Sequence, residues 1–424
     1  MSCQADSAQS DAITVPRPLI SIAGVRALIS GASVAGPVAA YWLARQGFEV
    51  TVVERAPTGF QPGGHAVDLF RPAMEIVRRM GVADAIRDRA TGMESITAFR
   101  LGTDRPVEID LRPIFSVVSD DHVEIMRDDL SHALRAATDG LDVEYLFGRT
   151  VTELRDGDVT FDDGTGRRFD LVIGADGLHS NVRRLTFGDE SGHTAFLGTY
   201  LAVATVPRPS TAGSTFVGHL GPDRLIGLYS TAAMADARLI FLYRPGHELA
   251  YDRNDRTGQK RILRTAYAGL GSGVEVWLDE LDRTDVFYLE SISQVVMDTW
   301  SRGRVTLVGD AGYCPGPAVG GGTSLAVVGA YVLAGELARC GGDHGRAFAA
   351  YEAALRPYVE GSRRLGRRVA RVLPPSRTGT VAAVFLAARA LPHIPDPLLR
   401  ALGRLDRRTL RLHDSVEVDD YATG

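Results

Sequence analysis

The sequence predicts an α/β protein: a doubly wound, Rossmann-like domain interrupted by a β-rich lobe and followed by C-terminal helices. Three observations carry that prediction. First, the apolar run Val25 to Ser30 meets Gly31-Ala-Ser-Val-Ala-Gly36. A helical stretch follows to Gln46, with Gly47 as its natural C-cap, and then a second apolar run, Glu49 to Val53. Strand, glycine turn, helix and strand in that order open a doubly wound sheet. Second, the later apolar runs Phe169 to Ile173 and Arg304 to Val308 lead to an aspartate beside glycine, in Asp176-Gly177 and Gly309-Asp310. Asp310 stands at a strand end where ligands of open α/β sheets bind. Third, residues 193–299 alternate β-like runs, such as Leu239 to Tyr243, with polar loops and one helical patch, the pattern of a separate sheet.

Length and composition agree with two lobes. The 424 residues exceed what one compact unit needs. A hydrophobic content of 45% and a charged content of 23% are ordinary for a globular protein. The net charge of −5 gives no overall basic bias toward nucleic acid. Lys260 is the sole lysine, which reflects codon bias and not function. Cys3, Cys314 and Cys340 make neither a disulfide framework nor a paired metal-ligand spacing, so a reducing cytoplasm and no metal are expected. Residues 1–21 read as a disordered leader, since Met1 to Arg17 is polar and lacks a signal-peptide core. Val381 to Leu391 is interrupted by Arg389 and falls short of the ~20 residues that span a bilayer. It reads as a packed helix, and no integral membrane association is expected.

The remaining elements follow in order. Pro72 to Met80 and Arg127 to Ala137 read as helices, and Ile96 to Arg100 and Val107 to Leu111 as strands near the second lobe. Val151 to Leu154, Val159 to Asp162 and Phe169 to Ile173, separated by Gly-Asp and Asp-Gly turns, read as a meander. Ser324 to Ala338 and Arg346 to Ala370 read as helices.

Three segments carry chemistry. In the first, Gly31 allows the tight strand-to-helix turn and Gly36 lets the helix pack closely on the sheet. Small Ser33, with Val34 and Ala35 after it, lets backbone N–H groups approach a pyrophosphate at the positive end of the helix dipole. Glu54, followed by Arg55, lies 18 residues after Gly36 at the end of the next strand. A carboxylate there accepts hydrogen bonds from a ribose diol. On the residues alone this unit suits an adenine dinucleotide without separating FAD from NAD. In the second segment a strand delivers Asp176 to a turn, and by spacing alone Asp176 is an ordinary turn residue. In the third, Asp310 ends a strand, and the loop through Pro315 and Pro317 reaches Gly320-Gly321-Gly322-Thr323-Ser324. Three consecutive glycines before a helix offer close backbone approach and free N–H donors. His65, His122 and His179 lie near these motifs, where a lone histidine is more often structural. Cys314 reads as a packing thiol, and Arg363, Arg364, Arg367, Arg368 and Arg371 as a solvated helix face.

Taken together, four motifs occur in order: Gly-x-Ser-x-x-Gly, Arg127 in Met-Arg-Asp-Asp-Leu, Asp-Leu-Val-Ile-Gly-Ala-Asp-Gly, and Gly-Asp-Ala before a proline–glycine loop. From about Val25 to Tyr351 the chain resembles the flavoprotein monooxygenases related to para-hydroxybenzoate hydroxylase. The stretch Gly320 to Leu337 is similar to a branch common in actinobacterial secondary metabolism, near the tetracycline-modifying enzymes. The resemblance implies FAD as cofactor, with Gly31, Ser33 and Gly36 around its pyrophosphate and Glu54 at the adenosine ribose. It implies Arg127 at the ribityl or pyrophosphate region and Asp310 at the ribityl chain. Gly320 to Ser324 would border the isoalloxazine ring, their helix N-terminus stabilising an anionic reduced flavin. Asp176 would support the FAD site and, in redox members, NAD(P)H. Residues 22–95, 120–192 and 300–345 would form the FAD-binding domain, 96–119 and 193–299 the substrate domain, and 346–424 a C-terminal helical extension.

The implied reaction is oxygenation of an aromatic or polycyclic natural product. NAD(P)H reduces FAD, O₂ adds at C4a, and the hydroperoxide transfers one oxygen. Since the cofactor carries the hard step, no catalytic side chain is expected. The alternative comes from relatives such as the decalin-forming cyclases of spirotetronate biosynthesis, which keep FAD as a structural part of a non-redox [4+2] cyclisation. Either activity takes a hydrophobic small molecule. Four positions depart from the common pattern: Gly312-Tyr313 stands where many relatives have Ala-His, Gly321 where Gln is frequent, and Ser324 where many have Asn.

Overall fold

The computed structural model describes residues 22, 24–58, 63–112, 119–209, 214–316, 321–390 and 411–421. The expected leader and Gly320 lie outside them. The fold is α/β with one mostly parallel and one mostly antiparallel sheet. The central sheet has the strand order β17-β18-β11-β1-β2-β7. These strands are β1 (Arg26–Ser30), β2 (Glu49–Glu54), β7 (Val143–Phe147), β11 (Leu171–Gly174), β17 (Ser301–Arg302) and β18 (Val305–Leu307). All pairings are parallel except that of β17 with β18. Ile29 sits between Val52 and Ile173, and all four residues of β11 are buried. Unbroken apolar runs of this kind are what strands covered on both faces require.

The helices are α1 (Ala35–Arg45), α2 (Arg71–Arg79), α3 (Ala83–Arg87), α4 (Arg127–Ala136), α5 (Asn181–Phe187), α6 (Arg256–Tyr267), α7 (Ser272–Arg283), α8 (Asp310–Tyr313), α9 (Gly322–Arg339), α10 (His344–Val372) and α11 (Thr378–Ala390). Helix α9 packs on α1, α2 and α10. Ala347, Phe348, Tyr351, Leu355, Tyr358 and Val359 of α10 share one buried cluster with the central sheet.

A seven-stranded sheet runs β16-β12-β15-β14-β13-β4-β5. It consists of β4 (Ser95–Arg100), β5 (Pro106–Asp110), β12 (Thr194–Pro207), β13 (Thr215–Gly221), β14 (Arg224–Ser230), β15 (Asp236–Tyr243) and β16 (Phe287–Val295). Only β13 and β4 pair in parallel. Strand alternation divides its faces. Ala237, Leu239 and Phe241 pack under α6 and α7 with Leu263, Tyr267 and Leu278. Leu201, Val203, Ile240, Leu242, Tyr288 and Ile292 gather on the other face. Strands β3 (Ala66–Leu69) and β6 (Val123–Met126) form a two-stranded ribbon between the sheets.

Three expectations change. Phe169 to Ile173 is not the last strand of a meander. Gly166–Arg168 completes the small sheet with Val151–Arg155 and Asp158–Phe161, while β11 enters the central sheet beside β1. Among the described residues the region 193–299 holds two helices, α6 and α7, where the sequence predicts one helical patch. Arg363 does not belong to a solvated face: it is buried and donates to the Val295 carbonyl, and Arg367 donates to Gln294 Oε1 at 3.1 Å.

Candidate active site

The three motifs converge at the carboxyl ends of β1, β11 and β18. Gly31 has φ +108°, and a Cβ there would lie 2.4 Å from the Ala175 carbonyl oxygen, so the turn closes against the end of β11 only without a side chain. A Cβ on Gly36 would meet the Gly31 carbonyl oxygen at 1.9 Å. Ser33 and Val34 are half-buried, Ala35 is buried, and α1 starts with no side-chain cap and no acidic residue in its first turn. Its orphan N–H groups and dipole therefore suit an anion.

Glu54 grips the same turn. Its Oε2 accepts from Ala32 N and its Oε1 from Ala56 N, both at 2.9 Å. Arg55 beside it is exposed. Arg127, exposed at the start of α4, reaches Ser33 Oγ with Nε at 3.3 Å. Asp176 faces inward. Its carboxylate accepts from Asn181 N at 2.9 Å, Val182 N at 3.1 Å and Ser180 Oγ, and so organises the start of α5. Arg183, fully buried, joins this segment to the third motif by donating to Leu178 O at 2.5 Å and Ala311 O at 2.8 Å.

Gly309, at φ +66°, brings the end of β18 against α1 and α9: a Cβ would sit 3.3 Å from those of Ala35 and Ala326. Asp310 follows. It is solvent-accessible, yet the surrounding protein pushes its carboxyl above the usual range, with a hydrogen bond from Cys314 opposing. Asp310 stands between these strand ends and the seven-stranded sheet, where the charges of Arg127 and Glu290 also act on it. Gly321, in a left-handed conformation at φ +79°, starts α9, again with neither a side-chain cap nor an acid in the first turn. Gly322 and Thr323 are half-buried there. The Ser324 hydroxyl accepts from Phe70 N at 2.9 Å and donates to Asp68 O at 3.1 Å, stapling β3 to α9.

The departures noted in the sequence each fit a neighbour. Tyr313 is buried and accepts from Tyr351 Oη at 3.0 Å, and its own hydroxyl occupies the space where a Cβ on Gly329 would sit. A Cβ on Gly321 would fall 2.2 Å from His413 Cε1. His413 lies in the C-terminal strap Arg411–Tyr421, stacked on Phe70 with centroids 4.8 Å apart.

Facing this crevice, the seven-stranded sheet presents Tyr288 and Glu290 on β16 and Arg238 on β15. His65 Nδ1 and Tyr288 Oη are hydrogen-bonded at 2.7 Å, and Arg238 donates to Gly64 O at 3.1 Å. Burial, then the Arg127 charge, depress His65 to about 4, so it is neutral. Burial holds the Tyr288 phenol well above its ordinary value. Sequence reading missed Tyr288, Glu290, Arg238, Arg183 and His413. The one signal available was the charged Glu290 set two residues from Tyr288 inside an apolar strand.

The donor set fits an adenine–flavin dinucleotide. Two uncapped helix starts supply N–H groups for phosphates and a ring carbonyl. The Gly31 turn leaves no room for a side chain, and carboxylates stand at both ends. Among the described residues no helix is long and apolar enough to cross a membrane.

Residues 24–369 match the family described as FAD binding domain. The chain is 42% identical to the uncharacterised protein Rv1260 of Mycobacterium tuberculosis, over 78% of this chain and 90% of that protein. It is 35% identical to a flavin-dependent monooxygenase of Legionella longbeachae, over 81% and 88%. The tetracycline destructase Tet(55) superposes with a TM-score of 0.78 at 29% identity, covering 95% of this chain and all of that one. The chain therefore belongs to the FAD binding domain family and is one of its FAD-dependent monooxygenases.

Proposed function

We propose that the protein uses NAD(P)H and O₂ to oxygenate an aromatic or polycyclic natural product in the cytoplasm. FAD supplies hydride acceptance and oxygen activation. In this reading Gly31, Ser33, Val34, Ala35 and Gly36 cradle the pyrophosphate, and Arg127 pairs with its charge. Glu54 and Arg55 face the adenosine end. Asp310 holds the ribityl hydroxyls. Gly321, Gly322 and Thr323 offer N–H groups to the pyrimidine edge of the ring. Asp176 and Ser324 act from behind by fixing the α5 turn and the start of α9.

The observation that carries the proposal is the pairing of two walls. One bears the uncapped helix starts and Asp310. The other is the sheet face of Leu201, Ile240, Leu242 and Ile292, interrupted by Arg238, Glu290 and the His65–Tyr288 pair. Such a face excludes water and binds a largely apolar molecule, while a few polar groups fix its orientation. Tyr288 and His65 can orient a substrate hydroxyl and move its proton, His65 being neutral and so able to accept one.

Tetracycline-type polycyclic enols are the first substrates to test, given the likeness to Tet(55). Purified protein should be bleached by NAD(P)H without oxygen, and should consume O₂ and yield a product heavier by one oxygen atom. The discriminating assay replaces FAD by its 5-deaza analogue, which accepts hydride but does not activate oxygen normally. Loss of conversion supports oxygenation. Conversion without mass change, NAD(P)H or O₂ would replace this reading by a non-redox cyclisation.

A further inference from the structure

We infer that Glu190, His179 and Glu290 form a proton relay from solvent into the crevice, an assignment that rests on the oxygenation reading. The balanced reaction, NAD(P)H + H⁺ + O₂ + substrate giving NAD(P)⁺, water and oxygenated product, takes up a proton in a site that must exclude bulk water. His179 is bonded at both ring nitrogens by carboxylates. Nδ1 meets Glu190 Oε1 at 2.8 Å, and Nε2 meets Glu290 Oε1. An imidazole held this way gives up a proton at one nitrogen while gaining one at the other.

Both end carboxylates are about one-third exposed, Glu190 at 31% on the side of Arg253 and Glu290 at 34% on the sheet face that carries Tyr288. Glu190 starts the short turn Glu190–Gly192 after α5 and pairs with Arg253, itself 54% exposed, at 3.2 Å. Glu290 lies two residues from Tyr288 on β16, and its charge acts on Asp310, His65, Tyr288, Tyr251 and Cys314. Partial burial lowers the His179 pKa, but the hydrogen bonds and charges of Glu190 and Glu290 outweigh it and raise it above the usual value. Partial burial likewise raises Glu190, but the bonds from His179 and Arg253 bring it down to about 2. His179 is thereby held toward its imidazolium form, from which the transfer starts. In the transfer, the Nε2–H bond breaks, its electron pair stays on nitrogen, and an O–H bond forms on Glu290, which then gives that proton to the oxygen released as water and returns to the carboxylate. Nδ1 then recovers a proton from water by way of Glu190. No group changes oxidation state.

The test uses the FAD-loaded protein, reduced by light without oxygen and mixed with aerated buffer. Anionic reduced flavin + O₂ + H⁺ then gives oxidised flavin + H₂O₂, so neither NAD(P)H nor substrate is needed. Recovery of flavin absorbance should slow as pH rises through the His179 pKa. That pKa is read independently by histidine NMR titration. His179→Gln can keep the hydrogen bond to Glu290 through its amide N–H but cannot ionise. It should retain FAD affinity, recover about tenfold more slowly or worse, lose the pH dependence, and regain rate with added imidazole. Glu290→Gln supplies a second arm with the same slowing. If either folded variant keeps the wild-type rate and pH profile, the cluster is an ion pair between the two sheets and the relay is overturned. Failure of the protein to oxidise NAD(P)H would sink the oxygenation reading, while this measurement would still decide the relay.

Discussion

Acid should undock the C-terminal strap, and His413 sets how strongly. The imidazole is 3% exposed, stacked on Phe70 and bonded through Nδ1 to Tyr358 Oη at 2.9 Å, while Nε2 has no partner. Burial depresses its pKa from 6.5 to about 4, against the opposing charges of Asp68 and Asp414. A base whose folded pKa is lowered contributes its full stability above 6.5. That stability is lost as pH falls through the window down to about 4. At pH 5 linkage gives about 2 kcal/mol, or a roughly thirtyfold larger opening constant for the strap than at pH 7.5. Hydrogen exchange of amides in Arg411–Tyr421, corrected for intrinsic rates, reads this opening directly. His413→Phe keeps the stack but strands the Tyr358 hydroxyl, so it should loosen the strap at pH 7.5 by about 1–3 kcal/mol. Its exchange should, however, no longer respond to pH between 7.5 and 5. An equal acid response in wild type and variant would refute the assignment to His413.

Other outcomes follow from the site. Asp310→Ala and Glu54→Ala each remove a charged acceptor worth roughly 1.5–3 kcal/mol, so fluorescence titration of the apoprotein with FAD should show about ten- to hundredfold weaker binding. Unchanged affinity in both variants would remove them from the site. Ser324→Ala leaves the Phe70 N–H buried without its acceptor, and the urea midpoint should fall by the equivalent of about 1–3 kcal/mol. Tyr288→Phe should lower kcat/KM for oxygenation while leaving FAD affinity unchanged. If affinity falls instead, Tyr288 supports the cofactor and not the substrate.

What the sequence made legible was local. The turn at Gly31 and Gly36, the strand ends carrying Asp176 and Asp310, and the glycine start of α9 are each written within a dozen residues, and each forms. The errors came from partners far away in sequence. Leu171–Gly174 pairs with β1 and β18, and its entirely apolar make-up is the sign that it leaves the small sheet behind. Glu54 was read as a ligand group, but its oxygens also hold the backbone of the turn 22 residues upstream. Tyr288 and Glu290 gain meaning only once α6 and α7 have covered the opposite face of the sheet, which alternation alone does not specify. His413 draws its environment from Phe70, Gly321 and Tyr358, a combination no local window contains.

The order of the seven-stranded sheet bears on how the chain is made. Strands β4 and β5 join it through β13, with Ser95 opposite Thr215. On a ribosome adding about 5–20 residues per second, a hairpin ending near Asp110 waits roughly 5–20 s for its neighbour to be complete. During that interval one edge of β4 is an open row of N–H and C=O groups beside apolar side chains, a template for pairing with another nascent chain. The parallel pairing of β1 with β11 imposes a similar delay on the central sheet. Yield on overexpression should therefore respond more to synthesis rate and chaperone supply than to the stability of the finished protein. Excising the region 193–299 as a separate piece would leave β13 as a permanent bare edge.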